Sequence, residues 1–131
     1  MVNSMSFTNL SLKAVLGIAL LFCGLHAWAG APVYAHQASP DQYTLLTENE
    51  EVLVLEMLLQ PGQADIKHSH RNETVYFEKG GTLRITLATG EAVEVTVPDG
   101  HVMWHEAWTH QVTNIGETVV KAIIVESKLA K

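Results

Sequence analysis

From residue 41 onward the chain is cut at short intervals by turn-forming clusters: Pro61-Gly62, Lys79-Gly80-Gly81, Thr89-Gly90, Pro98-Asp99-Gly100 and Asn114-Ile115-Gly116. Proline presets a turn's φ, glycine supplies positive φ, and asparagine or aspartate bonds its own backbone, so each cluster ends the element before it. The runs between the turns have the composition of strands. Val93-Glu94-Val95-Thr96-Val97 and Leu83-Arg84-Ile85-Thr86-Leu87 alternate apolar and polar residues, as half-buried strands do. Val52 to Leu59 and Val119 to Val125 are aliphatic and β-branched and read as strands buried on both faces. With no convincing helix in this part, many short strands joined by turns predict an all-β sandwich or barrel. At 131 residues, 47% of them hydrophobic, there is room for one domain with a modest core.

The first residues have a different character. Lys13 precedes an unbroken apolar run, Ala14 to Leu25, and then Ala27-Trp28-Ala29. A positive start, a twelve-residue apolar stretch and a small-x-small site describe a secretory signal peptide, and the stretch is too short to span a bilayer. The expected division is therefore a signal peptide over 1–29, an extended lead-in over 30–40 and a β-barrel domain over 41–131. Val33-Tyr34-Ala35 offers a second cleavage site, before His36. Cys23, the only cysteine, lies in the apolar run, so a cleaved chain would have no disulfide, thiolate nucleophile or thiolate ligand. Loss of Lys13 takes the formal charge from −6 to −7. With no Lys/Arg cluster, neither nucleic acid nor, after cleavage, an anionic membrane surface is expected as a partner. The expected location is periplasmic or secreted.

Chemistry concentrates in His68-Ser69-His70-Arg71-Asn72-Glu73 and in His110, which stands before Asn114. Two histidines at i and i+2 on a strand point to one face, shared with Ile66. Glu73 has the wrong parity for that face. A bend at Arg71-Asn72 would put Glu73, Val75 and Phe77 together on the next strand. His110, Val112 and Asn114 share a face of a later strand, and a closed β-structure could bring the three segments together. Imidazoles with a carboxylate suit a divalent transition metal (Zn, Mn, Fe, Ni or Cu) and are poor for Mg or Ca.

These residues resemble the cupin superfamily. Cupins carry a glycine, five residues, His-x-His, a short gap, a Glu, six residues and a glycine; a second motif ends in His-x-x-x-Asn. Here Gly62 is followed by five residues and His68-Ser69-His70, and Glu73 by six residues and Gly80; later come Gly100 and His110 with Asn114. The match covers about residues 41 to 127. Two elements depart from it: the gap from His70 to Glu73 is two residues, and Glu106-Ala107-Trp108-Thr109 replaces the usual Pro-x-Gly turn. The second segment is similar to a group of small single-domain cupins with the form Gly-x-Val-x-Trp … Thr-His-x-Val-x-Asn, in which the Glu ligand is often not kept. The resemblance implies a single antiparallel cupin barrel (double-stranded β-helix, or jelly roll), pairing as a homodimer. It implies metal ligands His68, His70 and His110, with Glu73 as a fourth ligand or as an acid-base group beside the metal.

Other large side chains near the motifs are candidates for a substrate pocket: Trp104, Trp108 and His105. His105 shares strand parity with His101 and Met103, opposite Val102 and Trp104; the apolar pair is expected inward, with His105 on the outer surface. Asn114 is expected to close the turn with Ile115-Gly116. Three imidazoles leave coordination positions open for water, a bidentate substrate or O₂. Cupins include dioxygenases, isomerases, hydrolases and non-catalytic binders, so the resemblance does not choose a reaction. An oxidising compartment favours Zn, Mn or Cu over Fe(II). Two readings stand: a metalloenzyme acting on a small chelating organic molecule, or a non-catalytic barrel that binds a small molecule or metal. The acid-base candidates are Glu73, His105 and Glu106.

Overall fold

Alternating burial along β2, β4, β8 and β9 organises this molecule into two facing sheets. The computed structural model describes residues 30–129; the signal-peptide reading over 1–29 lies outside them. One helical turn, α1 (Ala35–Ala38), is followed by β1 (Tyr43–Glu48), β2 (Val52–Leu59), β3 (His68–His70), β4 (Glu73–Lys79) and β5 (Gly81–Leu87). The remaining strands are β6 (Ala92–Val97), β7 (Val102–His105), β8 (Trp108–Asn114) and β9 (Val120–Ser127). One sheet has the order β1-β2-β9-β4-β7 and the other β3-β8-β5-β6. Every pairing between these strands is antiparallel.

The core is a single cluster drawn from both inner faces. Leu53, Leu55, Met57 and Leu59 of β2 meet Val75 and Phe77 of β4 and Val120, Ala122 and Ile124 of β9, with Leu83, Val97 and Val112 from the smaller sheet. Burying side chains of this size is worth about 1.5–3 kcal/mol each relative to exposure, which is the main force closing the two sheets. Contrary to expectation, β2 and β9 are not buried on both faces. Each alternates, and Leu58 and Val125 are exposed on the outer side. Among the described residues no second layer covers these outer faces, so the aliphatic composition reflects β-propensity as well as burial.

The motif glycines have backbone reasons. Gly62 has φ +77°, and a Cβ at Gly80 would strike the Val97 carbonyl oxygen. The lead-in is also more than an extended segment. Ser69 N–H donates to the Val33 carbonyl at 2.8 Å, Tyr34 forms a parallel bridge with Ser69, and the α1 turn then buries Ala35 completely. Ser39 Oγ accepts the Ile66 N–H at 2.7 Å.

Candidate metal centre

Strand register assembles the site. β3 lies against β8 so that His68 is directly opposite His110, and His70 opposite Trp108. The expected parity holds for the histidines: His68, His70 and His110 are all buried. Ile66 does not join them. It precedes β3 and is exposed, because the chain straightens into a strand only at His68. The bend at Arg71-Asn72 occurs, and Glu73, Val75 and Phe77 then face inward on β4. There Glu73 stands opposite His105 on one side and Glu126 of β9 on the other.

Hydrogen bonds fix the imidazoles. His68 Nδ1 lies 2.8 Å from the Ile66 carbonyl oxygen, and His70 Nδ1 lies 2.7 Å from Glu126 Oε1. Both neighbours only accept, so in each neutral ring Nδ1 carries the proton and Nε2 is left with its lone pair. The two Nε2 atoms are 2.8 Å apart. Two bare nitrogens at that distance repel unless a proton or a metal cation lies between them. Burial, and then the neighbouring His70, pushes the His68 pKa down to about 4, so its protonation is disfavoured at neutral pH. Burial also pushes His110 down to about 2, with His70 and His68 adding to it, and its Nδ1 is buried without a partner.

This donor set fits a transition-metal ion. Ligand nitrogens of His68, His70 and His110 lie within 4.8 Å of one another. At a metal–nitrogen bond of about 2.0–2.1 Å, two ligands at right angles are separated by about 2.9 Å and tetrahedral ones by about 3.4 Å. The observed 2.8 Å is close enough for both nitrogens to bind one ion. Glu126 behind His70 and the Ile66 carbonyl behind His68 are the usual outer partners of metal-binding imidazoles.

Glu73 faces a different part of the site. Trp108 Nε1–H donates to its Oε1 at 2.7 Å. Its Oε2 is 3.1 Å from His70 Nδ1 but outside hydrogen-bonding geometry, since that N–H is directed at Glu126, and so is left without a donor. Its carboxylate groups with His70 and Glu126, not with the three-histidine set. Burial raises its pKa; His70 and the Trp108 N–H pull it back and Glu126 adds to the rise. A cavity of about 40 Å³ opens between the sheets, bounded by His70, Glu73, His105, Trp108 and His110 among apolar side chains. A water needs about 10–15 Å³ of such space, so an ion with a few small ligands fits and an organic substrate does not.

His105 and Trp108 belong to this wall, their rings stacked at 4.3 Å and 16°. The expected facing of β7 is reversed: Met103 and His105 turn inward, while Val102 and Trp104 are 58% and 55% exposed. Trp104 is therefore not brought to the cavity. Met103, paired with Val75 across β4 and β7, lines the cavity in its stead. Glu106 borders an outer groove instead. Glu126, Asp65 and Tyr43 escape the sequence reading. Glu126 continues the inward parity of Val120, Ala122 and Ile124, one step past where the apolar run ends. Asp65 accepts the Val112 N–H and the Tyr43 hydroxyl proton, both at 2.7 Å, and lies 3.7 Å from His68 Nδ1. Asn114 takes the expected structural role, with Nδ2–H donating to the Leu59 and Thr118 carbonyls and Oδ1 accepting from Gly116 N–H.

No protein-family model and no curated protein matches the chain. Solved structures do. A cupin domain from Bordetella pertussis Tohama I is 26% identical with TM-score 0.61, over 66% of this chain and 92% of that one. An RmlC-like cupin family protein with a double-stranded β-helix fold, from Methanocaldococcus jannaschii, is 18% identical with TM-score 0.54, over 65% of this chain and 77% of the other. A Klebsiella pneumoniae protein with a double-stranded β-helix domain is 16% identical with TM-score 0.53, over 79% and 83%. With this fold and its two histidine motifs on neighbouring strands, the described residues form a small cupin-type domain.

Proposed function

We propose that this cupin holds a divalent transition metal on His68, His70 and His110, and uses it to act on a small chelating organic molecule. The observation that carries the reading is the pair of Nε2 atoms at 2.8 Å, both Nδ1 positions being committed to acceptors. Such an ion, when bound, would supply Lewis-acid polarisation or an activated water, or with Fe(II) a position for O₂. The chain's own residues supply the rest. Glu126 orients His70 and fixes its tautomer. Glu73 presents a buried, donor-free Oε2 at the cavity, where it can take up or release a proton, while Trp108 N–H holds its other oxygen. Tyr43, Phe77 and Met103 give the cavity an apolar lining around these polar groups. A second reading, a barrel that binds the ion without turnover, draws on the 40 Å³ cavity, which admits an organic molecule only if a wall moves.

Elemental analysis of the protein recovered from the cell envelope or medium, beside the His68→Ala/His70→Ala double variant, tests the metal. About one equivalent lost in the variant is expected; no metal in the wild type, and none taken up from Zn, Mn, Fe(II), Ni or Cu, would sink it. Glu73→Gln then separates the readings: metal retained with turnover lost supports the acid-base role, and metal lost makes Glu73 a ligand. Export and a homodimer are part of the same proposal. The first rests on the leader-like run Ala14 to Leu25, the second on the resemblance and on the exposed apolar side chains Val102, Trp104, Tyr76 and Val125 of the larger sheet. The intact mass of the recovered chain and its size in solution check them.

A further inference from the structure

Outside the barrel wall lies a groove of about 710 Å³, within the range of small-molecule sites. His70 and Trp108 border both this groove and the inner cavity, so they form the partition between them. The floor is polar: Ser69 and Thr109 hydroxyls, hydrogen-bonded to each other at 2.8 Å, with Asn72 beside them. Arg71 stands over the groove. Its guanidinium carbon is 4.0 Å from the centre of the Tyr34 ring, which fixes the plane of the group. Among the described residues its side chain makes one long contact with an acid, NH1 to Glu126 Oε2 at 3.5 Å, and it is 30% exposed. A planar guanidinium offers five donors, so most of the fork is available to a ligand in the groove. Lys128, the other basic residue of the wall, is already engaged with Glu48 at 2.8 Å, and Glu106 is also in the wall. Selectivity for an anion thus falls on Arg71.

We infer that the groove binds small organic carboxylates, with Arg71 as the anchor for the carboxylate, and that the chelating end of the same molecule enters the cavity past Trp108. This rests on the proposed metal-dependent reading for the chelating end only; the Arg71 contact needs no ion. Size forces the two-part arrangement, because the cavity takes a few atoms and the groove takes the body of the ligand. Entry requires the Trp108 ring to give up its hydrogen bond to Glu73 and to shift against His105, on which it stacks at 4.3 Å, and His110, which it meets edge-on.

The test compares two probes that share a diketone and differ in a carboxylate, acetopyruvate and acetylacetone. Calorimetric titration of the zinc-loaded protein is expected to give acetopyruvate an affinity about tenfold or more above acetylacetone, as charge-assisted hydrogen bonds imply. Arg71→Gln is expected to abolish that preference and Arg71→Lys to retain part of it. Zinc content measured on the same samples reports separately on the metal centre. If zinc does not bind, the titrations are made on the metal-free protein, where an Arg71-dependent preference for acetopyruvate still supports the groove. Equal affinity for the two probes, or a preference unchanged in Arg71→Gln, overturns the inference in either form.

Discussion

His110 and Asn114 sit four residues apart on the same strand and the same buried face, and they are treated in opposite ways. Each atom of the Asn114 amide is used, by Leu59, Thr118 and Gly116. Among the described residues His110 has a buried Nδ1 with no partner, and Glu73, across the cavity, has an oxygen with none. Buried polar groups are normally satisfied, so a saturated cluster reads as architecture and an unsaturated one as capacity held for something else. One end of β8 closes a turn, and the other end is left open toward a cavity.

The comparison can be broken most directly at its open end. His110→Leu is expected to remove the metal, read by elemental analysis, while leaving the stability of the metal-free protein undiminished, because the lost polar atom had no partner. Undiminished metal content would remove His110 from the site. Asn114→Ala is expected to do the reverse. It strands two carbonyls and an N–H in the interior and should cost about 3 kcal/mol in urea unfolding, with metal stoichiometry unchanged at low temperature. A cost near zero would mean that water replaces the amide and that saturation is no guide to role.

A smaller effect sharpens the contrast behind His70. Glu126→Gln keeps the shape but weakens the acceptor, and is expected to reduce metal affinity about 10–100-fold in competition with a chelator. Unchanged affinity would show that Glu126 does not orient the ring. The smallest effect is on pH dependence. His68 is lowered from 6.5 to about 4, so the folded state binds fewer protons there than the unfolded; its contribution is complete above about 6.5 and lost as pH falls toward 4. Asp65 is raised from 3.8 to about 6, so its contribution is complete below 3.8 and lost as pH rises through 6. The two oppose each other between about 4 and 6. Asp65→Asn in the metal-free protein is therefore expected to make stability climb more steeply with pH across that window, measured by urea unfolding at several pH values; an unchanged slope would count against the burial of Asp65 as the cause.

Strand periodicity made much of this legible. Parity alone puts His68 with His70 and His110 with Asn114, and it requires the bend that turns Glu73 inward. It does not say which of two similar faces points inward, and so β7 came out reversed: Val102 and Trp104 are the more apolar pair, but Met103, paired with Val75, lines the cavity. Glu126 was hidden by an apolar run that seemed to stop at Val125, although parity extended by one residue reaches it. Asp65 and Tyr43 were beyond reach because their contact spans the interval between β1 and β3, and no local pattern encodes it. The α1 turn is too short for a periodic signal.

The pairing of the lead-in with Ser69 bears on how the protein behaves after processing. β3 is only three residues long and lies at the margin of its sheet, with β8 on one side. Its other side is covered by Val33 and Tyr34. A chain cut after Ala29 keeps that cover, whereas one cut after Ala35 would present an open β edge bearing His68 and His70. Such edges recruit strands from other molecules, so the position of a single cut would decide whether the strand carrying His68 and His70 stays protected or becomes a point of self-association.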